Sequence, residues 1–125
     1  MQLPSVPGPG WGRTVAVAAL GGPAVLAWGV AADWPLRATH GPTFLAVNAA
    51  VGLAYFLAGT VLLDEPGHRT TGSVLVAAGL LWPLNWVNEW GTGPWPLVAA
   101  LQGPLASLLA LWAVLRYPRH WPGRR

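Results

Sequence analysis

No cysteine and no lysine occur among these 125 residues, and acidic residues number only four. The first absence excludes a disulfide framework, a thiolate metal site and a cysteine nucleophile, and it leaves the redox compartment open. Charge is scarce overall. Charged residues make up 9% of the chain and hydrophobic ones 54%, whereas about a quarter of a typical soluble domain is charged. All the positive side chains besides histidine are arginines, and four of the seven fall in the last ten residues. That placement suits a membrane flank and not a nucleic-acid groove, so no nucleic-acid partner is expected. No phosphate-cradling glycine loop is present, and His40 and His120 stand apart from any serine or carboxylate that would make a triad. The loop with Asp64, Glu65, His68 and Arg69 is a weak metal candidate, because the arginine opposes a cation. No catalytic residue, cofactor or metal is expected, and the chain as it stands is read as no enzyme.

What is present is apolar sequence in four long blocks, separated by short segments that hold nearly all the charge. This is the pattern of consecutive bilayer spans. The expected fold is all-α, an integral membrane bundle of four transmembrane helices over 14–115, with spans at about 14–32, 43–63, 72–90 and 96–115. Residues 1–13, rich in Pro and Gly, form an irregular lead-in, and 116–125 form a basic tail. Gly21-Gly22-Pro23 interrupts the first block and predicts a kink facing the bundle, where a neighbour can satisfy the freed backbone groups. Val30-Ala31-Ala32 before Asp33 has the small-residue pattern of a signal-peptidase site. The lead-in is a poor basic n-region, however, and the apolar core is long, so a retained span is the expectation.

Short loops make neighbouring spans antiparallel. Four spans then gather Arg13, Arg69, Arg116, Arg119, Arg124 and Arg125 on one side and leave Arg37 alone on the other. The positive-inside rule predicts a multi-pass protein of the cell membrane with both termini in the cytoplasm. Arg116, Arg119, Arg124 and Arg125, with Trp121 beside them, are expected to lie on anionic headgroups of the bilayer. In the second span Ala46, Ala50, Ala54 and Ala58 recur every fourth residue and predict the helix-packing face. Ala99, Gly103 and Ser107 repeat that spacing in the fourth. Ala54→Leu is accordingly expected to weaken folding more than a change at Leu57.

The stretch LLWPLNWVNEW, Leu80 to Trp90, is apolar enough for lipid yet holds three tryptophans, two asparagines and a glutamate. As an α-helix it would carry Trp82, Trp86 and Trp90 on one stripe and Asn85 and Glu89 on another. Aromatic side chains with polar tips collect at headgroup level, which accounts for Trp90 and Glu89 at the span end. Asn85 lies a turn deeper, where an unpaired amide is costly, so it needs a neighbouring helix, water or ligand. Asn85, Trp86, Asn88 and Glu89 are therefore the candidate pocket, which Pro83 widens by freeing a carbonyl nearby. Asn48 and Gln102 are expected in the same outer half, as interhelical glue or as part of a polar cluster with Asn85. No carboxylate is expected in mid-membrane, and the first span has none, which tells against a proton-coupled exporter.

The stretches PGHRTTGSVLVAAGLLWPLNW and GPLASLLALWAVLRYPRHWPGRR resemble the membrane-embedded N-terminal input region of actinobacterial sensor histidine kinases. The likeness covers about 75 residues and rests on a Pro, an Arg-Thr-Gly, a span with Gly-Leu-x-Trp, and a later aliphatic run ending in an aromatic and a Pro before a basic turn. It departs from the pattern at Arg69-Thr70-Thr71-Gly72, which has one residue more, and at Arg119-His120-Trp121-Pro122, which replaces the usual Ser-Gly-Arg. The resemblance implies signal transduction. The family's phosphoacceptor helix and ATP-binding domain are not in this sequence, so a non-catalytic sensory or interaction module is expected, be it an orphan input module, a truncated kinase or a fragment. Its expected partners are the bilayer, a second copy, or a kinase or other membrane protein. A structural or assembly protein that packs on a partner is the alternative, and a small four-helix exporter is the third reading.

Overall fold

The computed structural model describes residues 10–116. Four α-helices follow one another: α1 (Trp11–Asp33), α2 (Arg37–Leu63), α3 (Arg69–Leu81) and α4 (Trp95–Arg116). Two 3-10 segments join them, Trp34–Leu36 between α1 and α2, and Trp82–Trp90 continuing α3. No strand occurs among the described residues, so the chain is all-α. Two helical stretches, Trp11–Leu63 and Trp95–Leu115, are long and apolar enough to cross a membrane.

The connector expected at Asp33–Pro42 is itself mostly helical. Its one break is Gly41, at φ 78 and ψ 170, which together with Pro42 turns α2 after its first few residues. A left-handed φ beside a residue without an N–H is where a helix bends without burying an orphan donor. In α1 the Gly21-Gly22-Pro23 break does not interrupt the helix. Gly22 is buried, Pro23 faces outward, and a Cβ at Gly21 would collide with the Phe56 ring of α2.

The packing face of α2 corrects the sequence expectation. Ala46, Ala50, Ala54 and Ala58 are all exposed, and the buried side is Leu45, Asn48, Ala49, Gly52, Phe56, Gly59 and Thr60. Lipid and helix neighbours are both apolar, so an alanine ridge by itself does not say which of two small-residue faces turns inward. The closest approach belongs to glycine. Gly52 and Gly59 of α2 lie against Gly79 and Gly72 of α3 in antiparallel register. A Cβ at Gly59 would sit 2.7 Å from the Gly72 carbonyl oxygen, and one at Gly79 would sit 2.6 Å from the Gly52 carbonyl oxygen. In α4 the buried seam is Ala99, Gln102, Ala106 and Ala113, while Gly103 is half-buried and Ser107 exposed. Only Ala99 of the expected Ala99, Gly103 and Ser107 ridge is therefore fully inside. The structure of the tail, Arg119, Trp121, Arg124 and Arg125 with the side chain of Arg116, lies outside the described residues.

Candidate functional site

Pro83 organises the C-terminal end of the third helical stretch. It has no N–H to give, and from Trp82 the chain changes from α to 3-10 hydrogen bonding for nine residues. That is long for a segment that usually spans three or four. The Leu80 carbonyl beside the change accepts from the indole Nε1 of Trp28 at 3.1 Å, and the Leu81 carbonyl accepts from Gln102 Nε2. Two carbonyls just before Pro83 are thus matched by side chains of α1 and α4. Gly91, left-handed at φ 66, ends the segment.

The 3-10 period redistributes the tryptophans. With three residues per turn, positions three apart line up and positions four apart point in different directions. Trp82, Trp86 and Trp90 therefore do not form the stripe expected of an α-helix. The Trp82 ring meets Tyr55, that of Trp86 meets Phe44 edge-on at 5.2 Å, and that of Trp90 meets Trp95 while its Nε1 donates to the Ala32 carbonyl at 3.0 Å. Leu84, Val87 and Trp90 line up instead and supply the apolar ridge of a core with Ala32, Ala99, Trp28, Trp95 and Val98.

The candidate pocket of Asn85, Trp86, Asn88 and Glu89 does not converge. Asn88 and Glu89 are exposed, Asn85 Nδ2 donates to the Trp82 carbonyl of its own segment at 3.0 Å, and Trp86 turns to α2. Asn85 Oδ1 faces Gly103, where an added Cβ would lie 3.2 Å away. Asn85→Leu is expected to lower stability in detergent by no more than about 1 kcal/mol, the net worth of one local hydrogen bond. Thermal or denaturant unfolding of the variant measures it, and a much larger loss would mean that Asn85 holds more than its own turn.

The polar groups that do converge are Asp33, Asn48 and Trp82. Asp33, the last residue of α1, is 1% exposed. Its Oδ2 accepts from Asn48 Nδ2 at 2.8 Å, and Asn48 Oδ1 accepts from Trp82 Nε1 at 3.0 Å. One chain of hydrogen bonds thus ties α1 to α2 and α2 to the first residue of the 3-10 segment. The other carboxylate oxygen, Asp33 Oδ1, has no partner, and neither do Trp86 Nε1 and Gln102 Oε1. The expectation of a bundle without an internal carboxylate is corrected here: Asp33, which an expected span end at residue 32 left in the connector, is drawn inside because α1 continues through it. The sequence did carry a signal, since Asn48 required a partner and Asp33 ends the preceding helix.

At the opposite end, Thr14 Oγ1 donates to Asp64 Oδ2, and His68 Nδ1 pairs with Glu65 Oε2 at 2.8 Å. A cavity of about 330 Å³ opens beside them, walled by Arg13, Thr14, Val17, Thr60, Leu63, Asp64 and Arg69. A smaller one, of about 100 Å³, lies among Tyr55, Ala78, Trp82, Ala106, Ser107 and Ala110. Comparison with protein-family models, with curated proteins and with solved structures found no match.

Proposed function

We propose that the chain is a non-catalytic sensory module of the cell membrane, with four spans, both termini in the cytoplasm, and an outer segment able to change its helical form. The observation that carries this reading is the nine-residue 3-10 segment, Trp82–Trp90, joined through Trp82 to the buried Asn48 and Asp33. Converting nine residues from 3-10 to α geometry shortens the segment by about 4.5 Å and turns its end by about half a turn. Because α4 packs on this segment, the change would be passed toward the tail. A bistable element of this kind is what a signalling bundle requires. The likeness of PGHRTTGSVLVAAGLLWPLNW and the later GPLASLLALWAVLRYP to sensor-kinase input regions supports the same reading.

An assembly protein would use the same close packing without the movement, and this separates the two readings. The chain has no cysteine, so single cysteines placed at the exposed Ser73 and Asn88 give one clean spin-label pair. In bilayers, two distances differing by about 3 Å and exchanging between conditions are expected for a moving segment. One fixed distance in every lipid and at every pH would favour the assembly protein. Although Asp33 supplies the internal acid an exporter needs, it is not in the wall of either cavity described above, so the sensory reading is preferred.

Topology is tested separately. Reporter fusions after Arg125 and within Asp33–Pro42 are expected to report opposite sides, following the six-to-one division of arginines. Equal signals would overturn the four-span arrangement.

A further inference from the structure

We propose that Asp33 is a proton-binding site and that its protonation weakens the hold of Asn48 on Trp82, so that the stimulus read by this module is the proton. The inference rests on the sensory reading for its purpose but not for its chemistry. Asp33 is held by a neutral amide and not by a cation. The ionisable groups on the elements packed around its end of the bundle are Arg37 and His40 at the start of α2 and Glu89 near the end of the 3-10 segment. None of them forms an ion pair with it. The Arg37 guanidinium lies over the Trp34 ring, 4.3 Å from its centroid, and His40 Nδ1 is 2.8 Å from Thr39 Oγ1. No ion pair with a cation therefore has to be broken in the change from carboxylate to acid.

The hydrogen bonds say what that change would do. In the arrangement observed, Asp33 Oδ2 accepts from Asn48 while Oδ1 is unpartnered. A proton arriving from water adds to Oδ1. One O–H bond forms, no bond within the chain is broken, and the side chain goes from charge −1 to neutral. The new hydroxyl needs an acceptor, since a buried donor without one is costly. Asn48 Oδ1 is the complement: a carboxylic acid and a primary amide pair through two parallel hydrogen bonds, and Asn48 Nδ2 already makes one of them. That same oxygen is the acceptor for Trp82 Nε1. Asn48 Oδ1 has two lone pairs, so the Asp33 hydroxyl and the Trp82 indole come to share it. Closing the planar acid–amide pair draws Asn48 toward Asp33 and weakens its bond to Trp82, which loosens the first residue of the 3-10 segment. Asn48 acts as the positioning residue between them.

The chain contains two aspartates, Asp33 and Asp64, so ¹³C labelling of aspartate in the bilayer-reconstituted protein gives two side-chain carboxyl signals, and Asp64→Asn identifies the second. The ¹⁵N indole resonance of Trp82 is identified by Trp82→Phe. Over about pH 8 to pH 4, the range that brackets perturbed carboxyl titrations, the Asp33 carboxyl and the Trp82 indole are expected to shift with one midpoint. In Asp33→Asn the indole should hold still. An Asp33 signal that does not titrate, or a Trp82 signal that titrates unchanged in Asp33→Asn, would overturn the proposal. Should Asp33→Asn fail to fold, the two midpoints in the wild-type chain decide the matter, because unequal midpoints remove the coupling. The Ser73–Asn88 label distance separates the two levels of inference. If it moves with lipid while Asp33 does not titrate, the sensory reading stands without the proton; if Asp33 and Trp82 titrate together at a fixed distance, the proton site stands and the sensory reading fails.

Discussion

Gly79→Leu is expected to prevent the bundle from folding, whereas Ala54→Leu leaves it intact. The Cβ of any residue at position 79 would lie 2.6 Å from the Gly52 carbonyl oxygen and 2.7 Å from the Phe56 amide nitrogen. Both are backbone atoms of α2, and no rotamer change can move them aside. The helices would have to separate, and separation also strips the contact between Gly59 and Gly72 one heptad away. Overpacking of a side-chain contact typically costs about 1–3 kcal/mol, and a backbone contact repeated along a seam lies above that range. Ala54 is exposed, so its leucine meets lipid. Circular dichroism and size exclusion in detergent measure both variants. A folded, monodisperse Gly79→Leu protein would mean that α2 and α3 do not meet through their glycines.

The second large effect is expected at Asn48→Leu. That change removes both bonds of one amide and leaves Asp33 without any hydrogen-bond donor and the Trp82 indole without its acceptor. An unpartnered buried polar group costs about 1–3 kcal/mol, and more when it is charged, so a loss of about 3 kcal/mol or more is expected. The double variant Asp33→Leu, Asn48→Leu should recover part of it, because the group left stranded is gone. Unfolding in detergent across the double-mutant cycle tests the linkage. Additive effects would show that Asp33 and Asn48 are independent, and the proposed path from α1 to the 3-10 segment would lose its first step.

The packing of α2 shows where sequence reasoning stops. Alanines four apart and glycines seven apart both offer a small-residue face, and the sequence presents the two with equal weight. In water the buried face is the apolar one. Here every face is apolar, and the choice falls to which backbone comes closest, a property of two helices together and not of one. The same holds for Leu80–Trp90. Its spacing of tryptophans is an α-helical stripe on paper, but the change to three residues per turn at Pro83 sends Trp82, Trp86 and Trp90 to separate neighbours and brings Leu84, Val87 and Trp90 into line.

By itself the sequence determined that the long apolar blocks are helical, where the charges between them fall, and that Asn48, Gln102 and Asn85 each required a partner. Those properties follow from composition and from the cost of unpaired polar groups in lipid, which are local quantities. Only the tertiary structure decided which partners they received: the Asp33 carboxylate for Asn48, the Leu81 carbonyl for Gln102, and for Asn85 merely its own helical turn. Asp33 joins them because α1 runs on past its apolar block and delivers the carboxylate into the bundle, a position set by the length and approach of two antiparallel helices and by no property of the residue alone.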